Sequence, residues 1–173
     1  RMAREEFPGL AVSLSSEVCP EWREFDRFST TTINAYTQPM FDDYLGRLEY
    51  GLKNSGFIGQ FFVMSSSGGT LTPETARRFP VRVIESGPAA GVQMSAFHGR
   101  ELDLGPVLSF DMGGTTAKGA LIRDGRAIKE YHQEVARVHG FKAGSGLPVK
   151  APVIDMIEIG AGGGSIAAPD IRG

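Results

Sequence analysis

The run "SFDMGGTTAKG", residues 109–119, decides how this chain is read. An apolar approach, Val107 to Phe110, ends in Asp111; Gly113-Gly114 and Thr115-Thr116 follow before strand-like alternation resumes. Two adjacent glycines let successive backbone N–H groups converge without Cβ obstruction, which is the concave donor arrangement that holds anions. The threonine hydroxyls add donors. An Asp at the strand end repels a bare phosphate, but it makes sense if Mg2+ or its waters lie between the two. Spacing alone leaves two readings open: a phosphate cradle, or a tight hairpin turn whose Asp and Thr make only local hydrogen bonds.

Two better-known phosphate motifs are excluded. No Gly-Lys-Ser/Thr occurs, so this is not a P-loop, and the run leads into a strand where a dinucleotide fingerprint leads into a helix. The nearest match to G-x-G-x-x-G is Gly160-Ala161-Gly162-Gly163-Gly164-Ser165, with Ser in the third glycine's place. Beyond the turn, Thr116, Lys118, Ala120 and Ile122 share one face by period-2 alternation. Lys118 therefore either leans back toward the turn or extends its stem to solvent.

Outward from this run, residues 107–111, 116–123 and 127–135 read as strands, the last two joined by the hairpin signal Asp124-Gly125. A loop at 144–148, a strand at 153–157 and a glycine-rich turn at 159–165 follow. Upstream, 10–14 reads as a buried strand and 17–27 as a loop. Apolar residues at three- and four-residue steps predict a helix over 30–54, capped by Ser29 or Thr30, kinked or divided at Pro39, and stopped by Asn54-Ser55-Gly56. A strand at 61–64, a loop at 65–70, a short helix opened by Thr72-Pro73, a strand at 81–84 and a helix from Ser86 to about Phe97 complete the series. This alternation predicts a parallel α/β unit.

The 173 residues suffice for a real core, and 41% apolar with 22% charged residues is a globular composition. A net charge of −2, with only the short Arg77-Arg78 pair as a basic cluster, excludes a nucleic-acid surface. No apolar run reaches the roughly 20 residues of a membrane span, and Arg1 to Glu6 opens no secretory signal. The lone Cys19 cannot form an internal disulfide and reads as a packed thiol, in keeping with a cytoplasmic protein. His98, His132 and His139 have no partner at ligand spacing and read as surface or capping residues. Neither end of the chain opens or closes an element, so it reads as a piece of a longer polypeptide.

The run "FDMGGTTAKGALIRDGR" resembles the phosphate motif of the acetate-kinase/actin/sugar-kinase superfamily. Residues 12–36, 65–92 ("SSSGGTLTPETARRFPVRVIESGPAAGV") and 152–170 ("PVIDMIEIGAGGGSIAAPD") are similar, in order, to the hydantoinase A/5-oxoprolinase family. The resemblance implies an α/β fold with a partial ribonuclease-H-like (actin-like ATPase) core, a mixed sheet and flanking helices. Residues 1–80 would end an upstream α/β subdomain, and 81–173 would begin a second one carrying the phosphate loop. It implies ATP and Mg2+ as cofactors, a cyclic amide as substrate, and a hydantoinase-B-like partner subunit or domain. The amide carbonyl would be phosphorylated before ring opening. Alternatives within the resemblance are a ketone (acetone-type) carboxylase subunit and a non-catalytic nucleotide-dependent module.

On this resemblance Asp111 holds the metal through water. The N–H groups of Gly113, Gly114 and Thr115, with the Thr115 and Thr116 hydroxyls, cradle phosphate, and Gly162, Gly163, Gly164 and Ser165 line the cleft from a second loop. No catalytic residue is assigned. The chain departs from the family pattern at Ile157-Glu158, where members often carry His-Thr, and at Lys118, where they often carry Asp. Among other candidates, 65–69 reads as a strand-to-helix loop and Gly87 and Gly91 as helix-packing glycines. Asp155 is divided between a site role and capping its loop.

Overall fold

In the computed structural model, residues 2–137, 144–166 and 168 are described. His139 and the chain end at 169–173 lie outside them. The elements run α1 (Met2–Glu6), α2 (Ser15–Val18), α3 (Glu24–Asn54), β1 (Val63–Met64), β2 (Thr70–Leu71), α4 (Pro73–Arg78), a 3-10 turn (Pro80–Val83) and α5 (Ser86–Glu101). There follow β3 (Val107–Met112), β4 (Ala117–Arg123), β5 (Arg126–Ala127), β6 (Lys129–Glu130), β7 (Gln133–Val135), β8 (Leu147–Val149), β9 (Val153–Ile154) and β10 (Ile157–Ile159). No helix among the described residues is long and apolar enough to cross a membrane.

The α/β class holds, but every ladder among the described residues is antiparallel. The central sheet has the order β10-β4-β3, with β5 added to β4 through the Asp124-Gly125 turn. Both turn residues have positive φ, at 50° and 66°, the geometry that matches hairpin twist. The parallel unit expected upstream does not form. β1 folds back on β2 through a turn in which Ser65 N–H donates to the Gly69 carbonyl at 2.7 Å, so 65–69 is a hairpin and not a strand-to-helix loop. Residues 81–84, expected as a strand, lie in the 3-10 turn and the residue after it, and its Val81 and Val83 enter two different core clusters.

α3 begins six residues before the expected start. Thr30 does not cap it: the side chain is fully buried, donates to the Asp26 carbonyl (2.7 Å) and accepts from Lys150 N–H (2.9 Å). Glu24 and Asp26 in the first turn suit the positive end of the helix. Pro39 does not divide it. The stop at 54–56 is as expected: Gly56, at φ +81°, donates to Lys53 carbonyl and Phe57 donates to Leu52 carbonyl, a Schellman closure. Thr72 caps α4, accepting from Thr75 N–H. Residues 10–14 pair with no strand among the described residues; the Leu14 carbonyl instead accepts from Glu17 and Val18 to start α2. The strand expected over 127–135 breaks into β5, β6 and β7, which pair with β4, β9 and β8 in turn.

Three clusters form the core. Ala89, Val92 and Ala96 of α5 lie on Ala120 and Ile122 of β4 with Ile154. Val18 and Cys19 pack with Val81, Val149 and Ala151, so the thiol is buried as expected, and burial pushes its pKa up. Leu45, Ala76 and Val83 make the third. Small residues on α5 allow close approach to the sheet, but Gly87 and Gly91 do not supply it: both are exposed, and a Cβ at either would meet nothing within 4 Å. The packing glycine is Gly99, whose Cβ would lie 3.2 Å from Val107.

Candidate functional site

The β3–β4 hairpin places Asp111 at the end of β3 and Gly113–Thr116 in its turn. The turn is closed by Gly113 N–H donating to the Thr116 carbonyl at 3.0 Å. That donor, expected for phosphate, is therefore engaged. The N–H groups of Gly114 and Thr115 donate to no protein atom among the described residues, and both residues are exposed.

The second glycine loop docks on this turn backbone to backbone. Gly163 N–H donates to the Gly113 carbonyl (2.9 Å) and Gly164 N–H, more weakly, to the Gly114 carbonyl (3.4 Å). A Cβ at Gly162 would stand 2.5 Å from the Gly114 carbonyl carbon and oxygen and 2.6 Å from Thr115 N, all backbone atoms that cannot yield. Ser165 holds its own loop, accepting from Gly162 N–H (3.0 Å) on Oγ while its N–H donates to the Gly162 carbonyl (2.9 Å). The two loops predicted to share a cleft do meet. In this geometry the second supports the first, because its N–H groups are taken up by the protein.

Asp111, Lys118 and Glu158 form one row across β3, β4 and β10, each opposite the next in register. Lys118 takes neither expected course. Its side chain is 16% exposed and its ammonium lies against Glu85, at the start of α5, and 3.5 Å from Glu158. Burial works against the charged form, but the Glu85 hydrogen bond and the charges of Glu85 and Glu158 outweigh it and raise the lysine pKa. The two departures from the family pattern, Lys118 and Glu158, are thus a cross-strand pair.

Two positions here escaped the sequence. Glu85 lies within the 65–92 run that carries the family resemblance, but 33 residues from Lys118, and nothing local pairs the two. Ser66, fully buried, is a hub: its N–H donates to the Arg82 carbonyl, its carbonyl accepts from Ile154 N–H and its Oγ accepts from Glu85 N–H. Only a run of serines marks it. Asp155 is exposed at the edge of the site; its N–H donates to Ile128, and its carboxylate caps no loop backbone among the described residues. His98 and His132 are exposed, as expected of surface residues.

The fold is that of an α/β protein whose antiparallel central sheet ends in a glycine-threonine hairpin turn buttressed by a second glycine loop. The chain belongs to the hydantoinase/oxoprolinase family: that family's model matches residues 27–172. An uncharacterized protein of Methanocaldococcus jannaschii is 45% identical over 98% of this chain and 26% of its own length. The caprolactamase subunit alpha of Pseudomonas jessenii is 31% identical over 98% of this chain. The crystal structure of that organism's ATP-dependent caprolactamase superposes with a TM-score of 0.77 at 30% identity, covering 98% of this chain and 23% of that one. The nucleotide-free structure of an ATP-dependent acetone carboxylase gives 0.73 at 28% identity, over 91% and 21%. The chain thus spans about a quarter of the length of these two curated relatives.

Proposed function

We propose that this chain is the part of an ATP-dependent cyclic-amide hydrolase that carries one half of its nucleotide cleft. Residues 1–80 would end one subdomain, and 81–173 would begin the next, with its ribonuclease-H-like core. The observation that carries this reading is the β3–β4 turn, with exposed, unengaged N–H groups at Gly114 and Thr115 held in place by a second glycine loop.

The donor set fits a magnesium nucleotide. Mg2+ keeps several waters and is bound by one or two carboxylates plus substrate phosphates. Among the described residues no three of His, Cys, Asp or Glu are grouped to hold an ion by themselves. Asp111 would hold the metal through water, while Gly114, Thr115 and the Thr116 hydroxyl would receive phosphate oxygens. Bound ATP supplies the phosphoryl group that converts an amide oxygen into a leaving group. The chain's own contribution is positioning and charge compensation at the turn, the main work of a phosphoryl-transfer site.

A partner subunit or domain of the hydantoinase-B type and a cytoplasmic location complete the reading; the relative's designation as a subunit alpha supports the first. A second reading, ketone carboxylation, is favoured by the likeness to acetone carboxylase. An ATPase assay of the intact polypeptide with its partner, across hydantoins, 5-oxoproline, and ketones with bicarbonate, separates the two. In the same assay Asp111→Ala should lower Mg-ATP affinity and turnover at least about tenfold, the loss expected when a carboxylate that positions a metal through water is removed. Unchanged values would remove Asp111 from the site.

A further inference from the structure

Over its first half α3 is inverted, polar inside and aromatic outside. Its inward face carries the fully buried Thr30 and Asn34. Asn34 donates to the Arg78 carbonyl at 3.1 Å and accepts from Val81 N–H at 3.3 Å, so these polar groups are satisfied by the fold. The outward face carries Phe25, Phe28, Tyr36, Met40 and Tyr50, each more than half exposed. Single exposed apolar residues are ordinary, but a row of large ones along one helix face marks an interaction surface. This row runs about 37 Å at the helical rise of 1.5 Å per residue.

We propose that this face of α3 is a self-association surface, on which a second copy of the chain lays its own α3 antiparallel, about a two-fold axis passing between residues 37 and 38. The exposed positions 25, 28, 32, 36, 39, 43, 47 and 50 are spaced alike from either end of the row. Phe25 then faces the partner's Tyr50, Phe28 the partner's Arg47, Thr32 the partner's Asp43 and Tyr36 the partner's Pro39.

Charge complementarity selects both this occupant and this direction. Asp43 and Arg47 are the charged members of the row and pair with each other at 3.2 Å, largely in water. A parallel second α3 in the same register would set Asp43 on Asp43 and Arg47 on Arg47, opposing like charges. Reversed, each charge meets a suitable neutral group. Arg47 lies over the Phe28 ring, a cation–π contact, and Asp43 accepts from the Thr32 hydroxyl. Phe25 and Tyr50 pair as rings. The two-fold makes every such contact twice. The five apolar side chains offer on the order of 700 Å2 per copy, close to the roughly 800 Å2 that each partner contributes to a standard interface.

Sedimentation equilibrium of the intact polypeptide should show a dimer. Phe28→Glu and Tyr36→Glu, both at exposed positions, should each raise its dissociation constant at least about a hundredfold. The exposed Thr32 gives a test of sign. Facing Asp43, Thr32→Lys should tighten the dimer about fivefold at low salt, and Thr32→Asp should loosen it about fivefold. Under a copper–phenanthroline oxidant Tyr36→Cys should cross-link two copies, because the paired positions lie about 5 Å apart along the helix axis. Phe25→Cys, about 37 Å from its counterpart, should not. A dimer indifferent to Phe28→Glu, Tyr36→Glu and both Thr32 variants forms elsewhere and overturns the proposal. A monomer overturns it too, and Tyr36→Cys shielded from thiol reagents in that monomer would assign the row to contacts within the polypeptide.

Discussion

Gly162 carries the contact between the two loops, since any side chain there runs into the Gly114–Thr115 peptide. Gly162→Ala should therefore separate the loops and cost about 1–3 kcal/mol, the usual penalty of overpacking. Gly164→Ala, whose Cβ would meet nothing closer than the Gly114 carbonyl at 3.7 Å, should stay within about 0.5 kcal/mol. Urea denaturation of the two variants checks this; equal losses would mean the close approach at Gly162 is not what holds the turn. Both glycines belong to the same sequence cluster, and nothing local distinguishes them. The cluster was legible as a place of close backbone approach, but which glycine makes it depends on Gly114, 48 residues away in the chain.

At the scale of elements, α3 shows which local signals survive folding. Its end was readable because Asn54-Ser55-Gly56 stops a helix through backbone chemistry alone. Gly56→Ala should cost about 1 kcal/mol, because an L-residue at φ +81° is strained. Gly51→Ala, inside the helix and exposed with open space at its Cβ, should gain up to about 1 kcal/mol. Thermal melts should move in opposite directions, and a shift of the same sign in both would refute the capping account. The helix start was not readable. Ser29 and Thr30 have N-cap chemistry, but here Ser29 Oγ donates to the Pro148 carbonyl at 2.7 Å and Thr30 Oγ1 accepts from Lys150 N–H. Both serve a distant strand, so their tertiary use overrides the cap. Similarly, Val81-Arg82-Val83-Ile84 has strand composition, but no strand among the described residues forms a ladder with it, and one helical turn lets its two valines fill separate clusters.

Across the whole molecule, the Glu85–Lys118–Glu158 cluster links α5 to β4 and β10, so its titration should register in global stability. Folding raises the lysine pKa above its ordinary 10.5. Its contribution is then complete below that value and disappears as pH climbs through the higher folded value. Glu134 behaves oppositely: the Gly144 N–H hydrogen bond, with help from Arg137, holds its pKa below the ordinary 4.5. Its contribution is present above that value and is lost as pH falls through the folded one. Denaturation midpoints should thus fall at both extremes, and Lys118→Met should abolish the alkaline component specific to this cluster. An alkaline profile unchanged in that variant would remove the cluster from the account.

The sequence by itself determined the α/β class, the β3–β4 hairpin with its glycine turn, the second glycine turn, the capped helix α4 and the end of α3. Each of these is written in neighbouring residues through backbone preference and periodicity. Only the tertiary structure decided that β1 turns back on β2 where a parallel unit was expected, that Lys118 is held by Glu85 and Glu158, and that Gly162 rests on Gly114. The last two depend on contacts between residues far apart in the chain, whose partners no local pattern specifies. The open face of the central sheet was decided there too: Leu108, Phe110, Ile157 and Ile159 are exposed together although each has the composition of a core strand. Alternation tells which residues share a face, but what covers that face is set by the rest of the fold.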